Sequence, residues 1–195
     1  MTLVDTYLAG LRAALNEDDL AELALARGAA ADTLQRLLER YPLCPASLLE
    51  LLGKIGGTHF QDYPDGTVTV LVLGSDVFEY PYYLRSVEQI LEDAREYRDS
   101  IRGIYGKYLD EDAELLGAGI DPDLEMGERL CFSHCMNNGG TSQLYIDFHP
   151  TAAGKVGQVV RYLHDPDSYR VIADSFDDYL RMLIDGEFAF VDAYE

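Results

Sequence analysis

Through the first forty positions the apolar residues recur at helical spacing. Val4, Tyr7, Leu8, Leu11 and Leu15 form one stripe; Leu20, Leu23 and Ala24 form a second after Asp18 and Asp19; Leu34, Leu37, Leu38 and Tyr41 form a third. The stripes predict three helices, with Gly28 and Pro42 as stops. A short helix is expected after Pro45, where Ser47 and Glu50 have the spacing of a capping box and Leu48, Leu51, Leu52 and Ile55 face inward. After Gly56 and Gly57 the pattern turns to β. His59 and Phe60 start a short strand, Pro64-Asp65-Gly66 has turn chemistry, and residues 68–73 are a β-branched run that completes a hairpin. Ser86 and Gln89 then open a longer helix with Val87, Ile90, Leu91, Ala94 and Tyr97 on its inner side, running to Tyr108.

From Leu130 onward strands are predicted over 130–133, 143–148, 156–163 and 169–172, separated by Asn/Gly or Asp/Pro turns. Short turns between successive strands imply antiparallel pairing. Val159, Arg161 and Leu163 fall on one side of the third strand, and Val160 and Tyr162 on the other. A last helix begins at Ser175, three residues before Asp178, so that the hydroxyl accepts a backbone N–H and the carboxylate accepts the serine N–H. Phe176, Tyr179, Leu180, Leu183 and Ile184 share its face. Early helices, central strands and one closing helix predict an α+β fold: a single, mainly antiparallel sheet with helices packed against it and an extra helical N-terminal segment.

Three segments carry a resemblance. GQVVRYLHDPDSYRVIADSFDDYLRMLI, residues 157–184, resembles the strand–turn–capped-helix end of the SUKH superfamily. YPLCPASLLELLGKIGG, residues 41–57, is similar to the early segment of that family, a proline followed by a short helix and a glycine pair. NNGGTSQLYIDFHP, residues 137–150, resembles its glycine turn leading into a strand that ends in Asp147. The segments occur in the family's order. The superfamily includes the yeast cell-wall assembly regulator and many bacterial immunity proteins, and the resemblance implies the same α+β class. On this reading residues 1–195 are one domain, with a helical extension over 1–32, a SUKH-like core over 33–185 and a C-terminal tail over 186–195. The role of the extension, covering the sheet or self-association, stays open.

The 195 residues are 48% hydrophobic, enough for one substantial core. Asp5 precedes any arginine and the N-terminal apolar residues are spaced rather than massed, so neither a signal peptide nor a membrane span is expected, and the cytoplasm is the expected location. Charge changes the picture more. Thirty-five acidic against fifteen basic residues give a net charge of −20, which repels nucleic-acid phosphates and anionic lipid. Eight of the carboxylates, Asp110, Glu111, Asp112, Glu114, Asp121, Asp123, Glu125 and Glu128, lie over 110–128 without a lysine or arginine. Gly117, Gly119, Pro122 and Gly127 mark that stretch as a loop. It reads either as solvated surface or as a negative field for a basic partner. Fourteen tyrosines without a tryptophan include Tyr80, Tyr82 and Tyr83 around Pro81, which either close a core edge or form a recognition surface.

No catalytic constellation emerges. Cys44, Cys131 and Cys135 fit reduced, buried thiols, and His134, His149 and His164 have no metal-motif spacing with them. Ser175, Asp174 and His164 can be drawn as a triad, but no G-x-S-x-G elbow surrounds the serine. The GGTS turn at 139–142 leads into a strand and lacks the lysine of a phosphate loop. The expectation is therefore a non-enzyme without metal or cofactor. The resemblance implies a cytoplasmic, protein-binding immunity protein, an antitoxin whose partner is a bacterial toxin domain with a basic surface, in one version a nuclease. The expected contact residues are Tyr80, Tyr82, Tyr83 and the eight carboxylates. A regulatory scaffold in a signalling or cell-envelope pathway is the alternative, and an unrecognised hydrolase is a third.

Overall fold

The computed structural model describes residues 1–137 and 139–192. Helix α1, Leu3–Ala14, is closed at its start by a reciprocal box: Thr2 Oγ1 accepts the Asp5 N–H at 3.1 Å, and the Asp5 carboxylate accepts the Thr2 N–H at 2.9 Å. It buries Val4, Tyr7, Leu8 and Leu11, four of the five residues in the predicted stripe, and Leu15 just beyond it is buried too. Helices α2, Glu17–Leu23, and α3, Ala31–Arg40, follow. The link between them runs against the end of α4, Ala46–Lys54: Gly56 N–H donates to the Arg27 carbonyl at 2.8 Å and Ala29 N–H to the Leu52 carbonyl at 2.8 Å. A Cβ on Gly28 would stand 1.8 Å from the Gly53 carbonyl oxygen, so that crossing requires glycine. The predicted Ser47–Glu50 box does not form. Pro45 occupies the cap position, Ser47 sits inside the first turn, and its hydroxyl donates 2.5 Å to Asp177.

The hairpin β1, Gln61–Tyr63, and β2, Gly66–Val68, is shorter than expected. Phe60 lies before it in a left-handed conformation, φ 49°. Beyond Val68 the β-branched run leaves the hairpin and crosses the core as extended chain, burying Val70, Val72 and Leu73, with Leu73 bridged to Tyr82. Strand β3, Tyr83–Leu84, leads into α5, Val87–Glu96, where the Ser86–Gln89 box is present as read. The long helix expected to reach Tyr108 instead ends at Glu96. The Tyr97 and Asp99 carbonyls accept the N–H groups of Gly127 and Met126 at 2.8 and 2.9 Å, Ser100 caps a new helix α6, Ile101–Tyr105, and Gly106 at φ 56° ends it before α7, Tyr108–Glu111.

The main sheet holds β4, Leu130–Cys131, β5, Ser133–Asn137, β6, Gly140–Asp147, β7, Gln158–Leu163, and β8, Ser168–Ala173. Its order is β3-β5-β6-β7-β8, with β4 also on β6, and all these pairs are antiparallel. The fold is α+β. Asn138, in the predicted glycine turn, lies outside the described residues. Helix α8, Phe176–Asp185, is capped by Ser175, whose Oγ accepts the Asp178 N–H at 3.1 Å; the Asp178 carboxylate takes the serine hydroxyl at 2.7 Å rather than its N–H. The predicted tail is packed where it is described: α9, Ala189–Asp192, and the turn before it bury Phe188 and Phe190, while residues 193–195 lie outside the described residues.

One apolar cluster joins residues from Val4 to Phe190 on one face of the sheet, including Leu144, Ile146 and Val159. The helical extension belongs to this core, because α1 packs on α8 and Tyr7 donates its hydroxyl to the Val72 carbonyl. At about 1.5–3 kcal/mol for each fully buried Val or Leu, α1 contributes an amount comparable with a domain's net stability. The opposite face, with Tyr145, Val160 and Tyr169, is covered by Ile101, Leu109, Leu115, Ile120 and Met126. These residues come from the stretch that carries the acidic run.

Candidate partner-binding surface

The acidic run is fastened from below. Buried Arg129 donates Nη2 to the Asp121 carbonyl at 2.6 Å, Gln158 donates Nε2 to the Gly119 carbonyl at 3.0 Å, and Gly117 N–H meets the Tyr169 carbonyl at 2.8 Å. Asp112 Oδ1 accepts the Glu114 N–H and Asp121 Oδ1 the Asp123 N–H, each at 2.9 Å, which shapes two local turns. With its apolar side chains on the sheet, the segment turns its carboxylates outward: Asp110, Glu111, Asp112, Glu114, Asp123 and Glu125 are exposed, and Asp121 and Glu128 are half-buried. The Glu114 side chain is 90% exposed.

Arginines from elsewhere partly neutralise this field. Arg102 reaches Asp123 at 2.7 Å and Asp110 at 3.7 Å, Arg170 reaches Glu114 at 2.8 Å, Arg98 reaches Glu125 at 3.8 Å, and Arg40 reaches Glu128 at 2.9 Å. The hydrogen bonds from Arg40 hold the Glu128 carboxyl below its usual range, against the opposing effect of its partial burial. Five of the eight carboxylates thus meet four guanidiniums, and the surface keeps an excess of negative charge. The exposed pairs are worth little as stability but leave their carboxylates open to a stronger partner.

The tyrosines expected beside the carboxylates are elsewhere. Tyr82 is fully buried, because alternation along the extended chain sends Tyr82 and Leu84 into the core and Tyr83 outward. Tyr80 and Tyr83 are half-buried, and Tyr83 packs against the His59 and Phe60 rings at 5.5 and 5.8 Å. Strand β3, which carries Tyr83, and strand β8, along which residues 115–117 run, are opposite edges of the sheet path. The apolar companions of the acidic run are instead Tyr97, Ile104 and Tyr108, all exposed, Tyr108 at 61%. The sequence pattern predicts Tyr97 on an inner face, but the helix break turns it out. Gly103, Gly106 and the Ser100 cap were the sequence signals for that break.

The other candidate chemistry is not assembled. Ser175 serves α8, Asp174 binds Lys155, and His164 Nδ1 faces Asp167 at 3.1 Å. His134 stacks on His59 with ring centroids 4.0 Å apart, and burial lowers both pKa values, that of His134 to about 4. Burial raises the thiols of Cys44 and Cys131 to about 12 and that of Cys135 to about 11. Among the described residues no group of three or more His, Cys, Asp or Glu side chains could hold a metal, and no helix is long and apolar enough to cross a membrane.

The motif residue Asp147, which ends β6, is fully buried against Arg129 and Gln158. The segment around it is therefore a structural part of the sheet, with the capped α8 packed on one face and the stretch between α5 and β4 laid over the other. No curated protein matches this chain. The SMI1 / KNR4 family (SUKH-1) matches it over residues 28–182, from the glycine crossing before α3 to the last turn of α8, and the chain belongs to that family.

Proposed function

We propose that this protein is a binding protein, not an enzyme, and that it acts as an immunity protein neutralising a toxin domain with a basic surface. The observation that carries the reading is the ridge formed by α6, α7 and the acidic run, where exposed carboxylates in excess over their arginines stand beside Tyr97, Ile104 and Tyr108. Carboxylates steer a basic partner, and rigid aromatic side chains add contact area at low entropy cost. Family membership supports the class, since the superfamily includes immunity proteins. A nuclease cleft, basic because it holds phosphate, fits a partner of net charge −20. The role needs no metal or cofactor, and a cytoplasmic location suits a protein that protects its own cell.

The test is affinity capture from lysate of the native organism at about 50 and 300 mM salt, where screening differs strongly. One protein recovered at near-equal stoichiometry, with a basic domain that poisons cells when expressed alone and is harmless with this chain, supports the reading. Recovery of several household regulators at moderate affinity favours the scaffold instead.

A further inference from the structure

Of the fifteen lysines and arginines, Arg12, Arg36, Arg95 and Lys107 make no ion pair with a described residue. Two of these four face one place. Arg36 on α3 and Arg95 on α5 line an open groove of about 350 Å3 together with Glu39, Arg40 and Leu91. Arg40 is matched by Glu128, so after Glu39 the lining keeps one net positive charge. In a chain of net charge −20 an anion is repelled almost everywhere, and a groove with two unmatched guanidiniums is a local exception.

On the other side of Arg40 lies a second cavity, of about 210 Å3, walled by Tyr41, Pro42, Leu43 and Phe148, with Glu128 and His149 completing it. Leu43 is 61% exposed there. Arg40 is a fixed divider between the two: it donates to both Glu128 oxygens and to the Gly127 carbonyl, and its guanidinium lies 4.7 Å from the centre of the Tyr41 ring. The cationic groove and the apolar cavity are therefore adjacent and held in register. Both are open, and the apolar cavity is small beside those that enclose a free ligand, which suits a chain segment whose remainder leaves into solvent.

We propose that groove and cavity form one site for a protein segment presenting a single carboxylate beside a large apolar side chain. The carboxylate sits between Arg36 and Arg95, and the side chain packs against Tyr41, Leu43 and Phe148. This ligand is opposite in charge to the partner proposed for the ridge, so the two proposals stand or fall separately.

The test follows the arginine Nε–H resonances by NMR while the full chain is titrated with acetyl-Gly-Gly-Phe bearing a free carboxylate. Saturable shifts at Arg36 and Arg95 with none at Arg12 are expected, with binding weaker by about tenfold or more for the peptide amide, for acetate and for 3-phenylpropionate. The exposed-site variants Arg36→Gln with Arg95→Gln, and separately Leu43→Ser, each weaken the peptide by a similar factor while leaving the urea midpoint in place. Equal binding of the amide removes the anion from the account, and equal binding of acetate removes the cavity. Equal binding of 3-phenylpropionate makes the site one for small acids, and no saturation, or shifts that include Arg12, overturns it altogether.

Discussion

Replacing Arg129 by methionine takes the cation out of a fully enclosed pair. Arg129 Nε stands 3.5 Å from Asp147 Oδ2, and both side chains are 0% exposed. Asp147 has two further contacts, the His149 N–H at 3.0 Å and Gln158 Nε2 at 3.3 Å, both neutral donors that cannot replace a guanidinium. The same substitution frees the Asp121 carbonyl, and the Leu124 carbonyl held by Nη1 at 3.4 Å. Breaking a buried pair from one side costs about 3–5 kcal/mol, a large share of the 5–15 kcal/mol that holds a typical domain together. Urea unfolding at pH 7 measures it as a lowered midpoint at constant slope. Asp147→Asn removes the charge from the other side, and the double variant Arg129→Met with Asp147→Asn recovers part of the loss, since the two sites are coupled. Amide exchange of residues 119–124 should quicken in the methionine variant, because its anchor is gone. A loss below about 1 kcal/mol, or strict additivity of the two single losses, would refute the claim that this pair fastens the acidic run to the sheet.

Tyr179→Phe removes the donor that meets the Gly74 carbonyl at 2.7 Å inside the core, and a loss of about 1–3 kcal/mol in urea unfolding is expected. His134 has a folded pKa lowered to about 4, below its ordinary value, so its contribution is present above about pH 6.5 and lost as pH falls toward 4. Discounted for partial exposure this is of order 1–2 kcal/mol, and the difference between urea midpoints at pH 7 and pH 5 should shrink in His134→Gln. The three buried thiols, each shifted upward by burial, should resist a disulfide reagent at pH 8 in the native protein and react fully in denaturant.

Periodicity made α1, α3, α4 and α8 legible, because each buries a stripe that repeats at helical spacing and little else competes for those residues. The β6–β8 meander was legible for a similar reason, its alternation matching two differently covered faces. The errors cluster where tertiary contacts outbid local pattern. The inner-face reading of Tyr97 failed because the chain from Tyr97 to Asp99 gives carbonyls to Gly127 and Met126, a contact across some thirty residues that no window can contain. Counting tyrosines pointed to Tyr82, whose direction depends on its bridge to Leu73. The Ser47–Glu50 spacing was sound in isolation, yet Asp177 offered the serine hydroxyl another partner. The carboxylates of the acidic run were visible from the start; the arginines that temper them were not, since they come from α3, β8, α6 and the break after α5.

Association kinetics with the captured partner show whether the acidic ridge recruits a basic protein. The comparison is wild type against Asp110→Lys, Glu111→Lys and Asp112→Lys combined, three exposed positions whose reversal leaves the core untouched. An association rate lowered by about tenfold or more at about 50 mM salt is expected, with a flatter salt dependence, and a further gain in dissociation rate on adding Tyr108→Ala. An association rate and salt slope equal to wild type, with the partner still held, would contradict recruitment by the ridge.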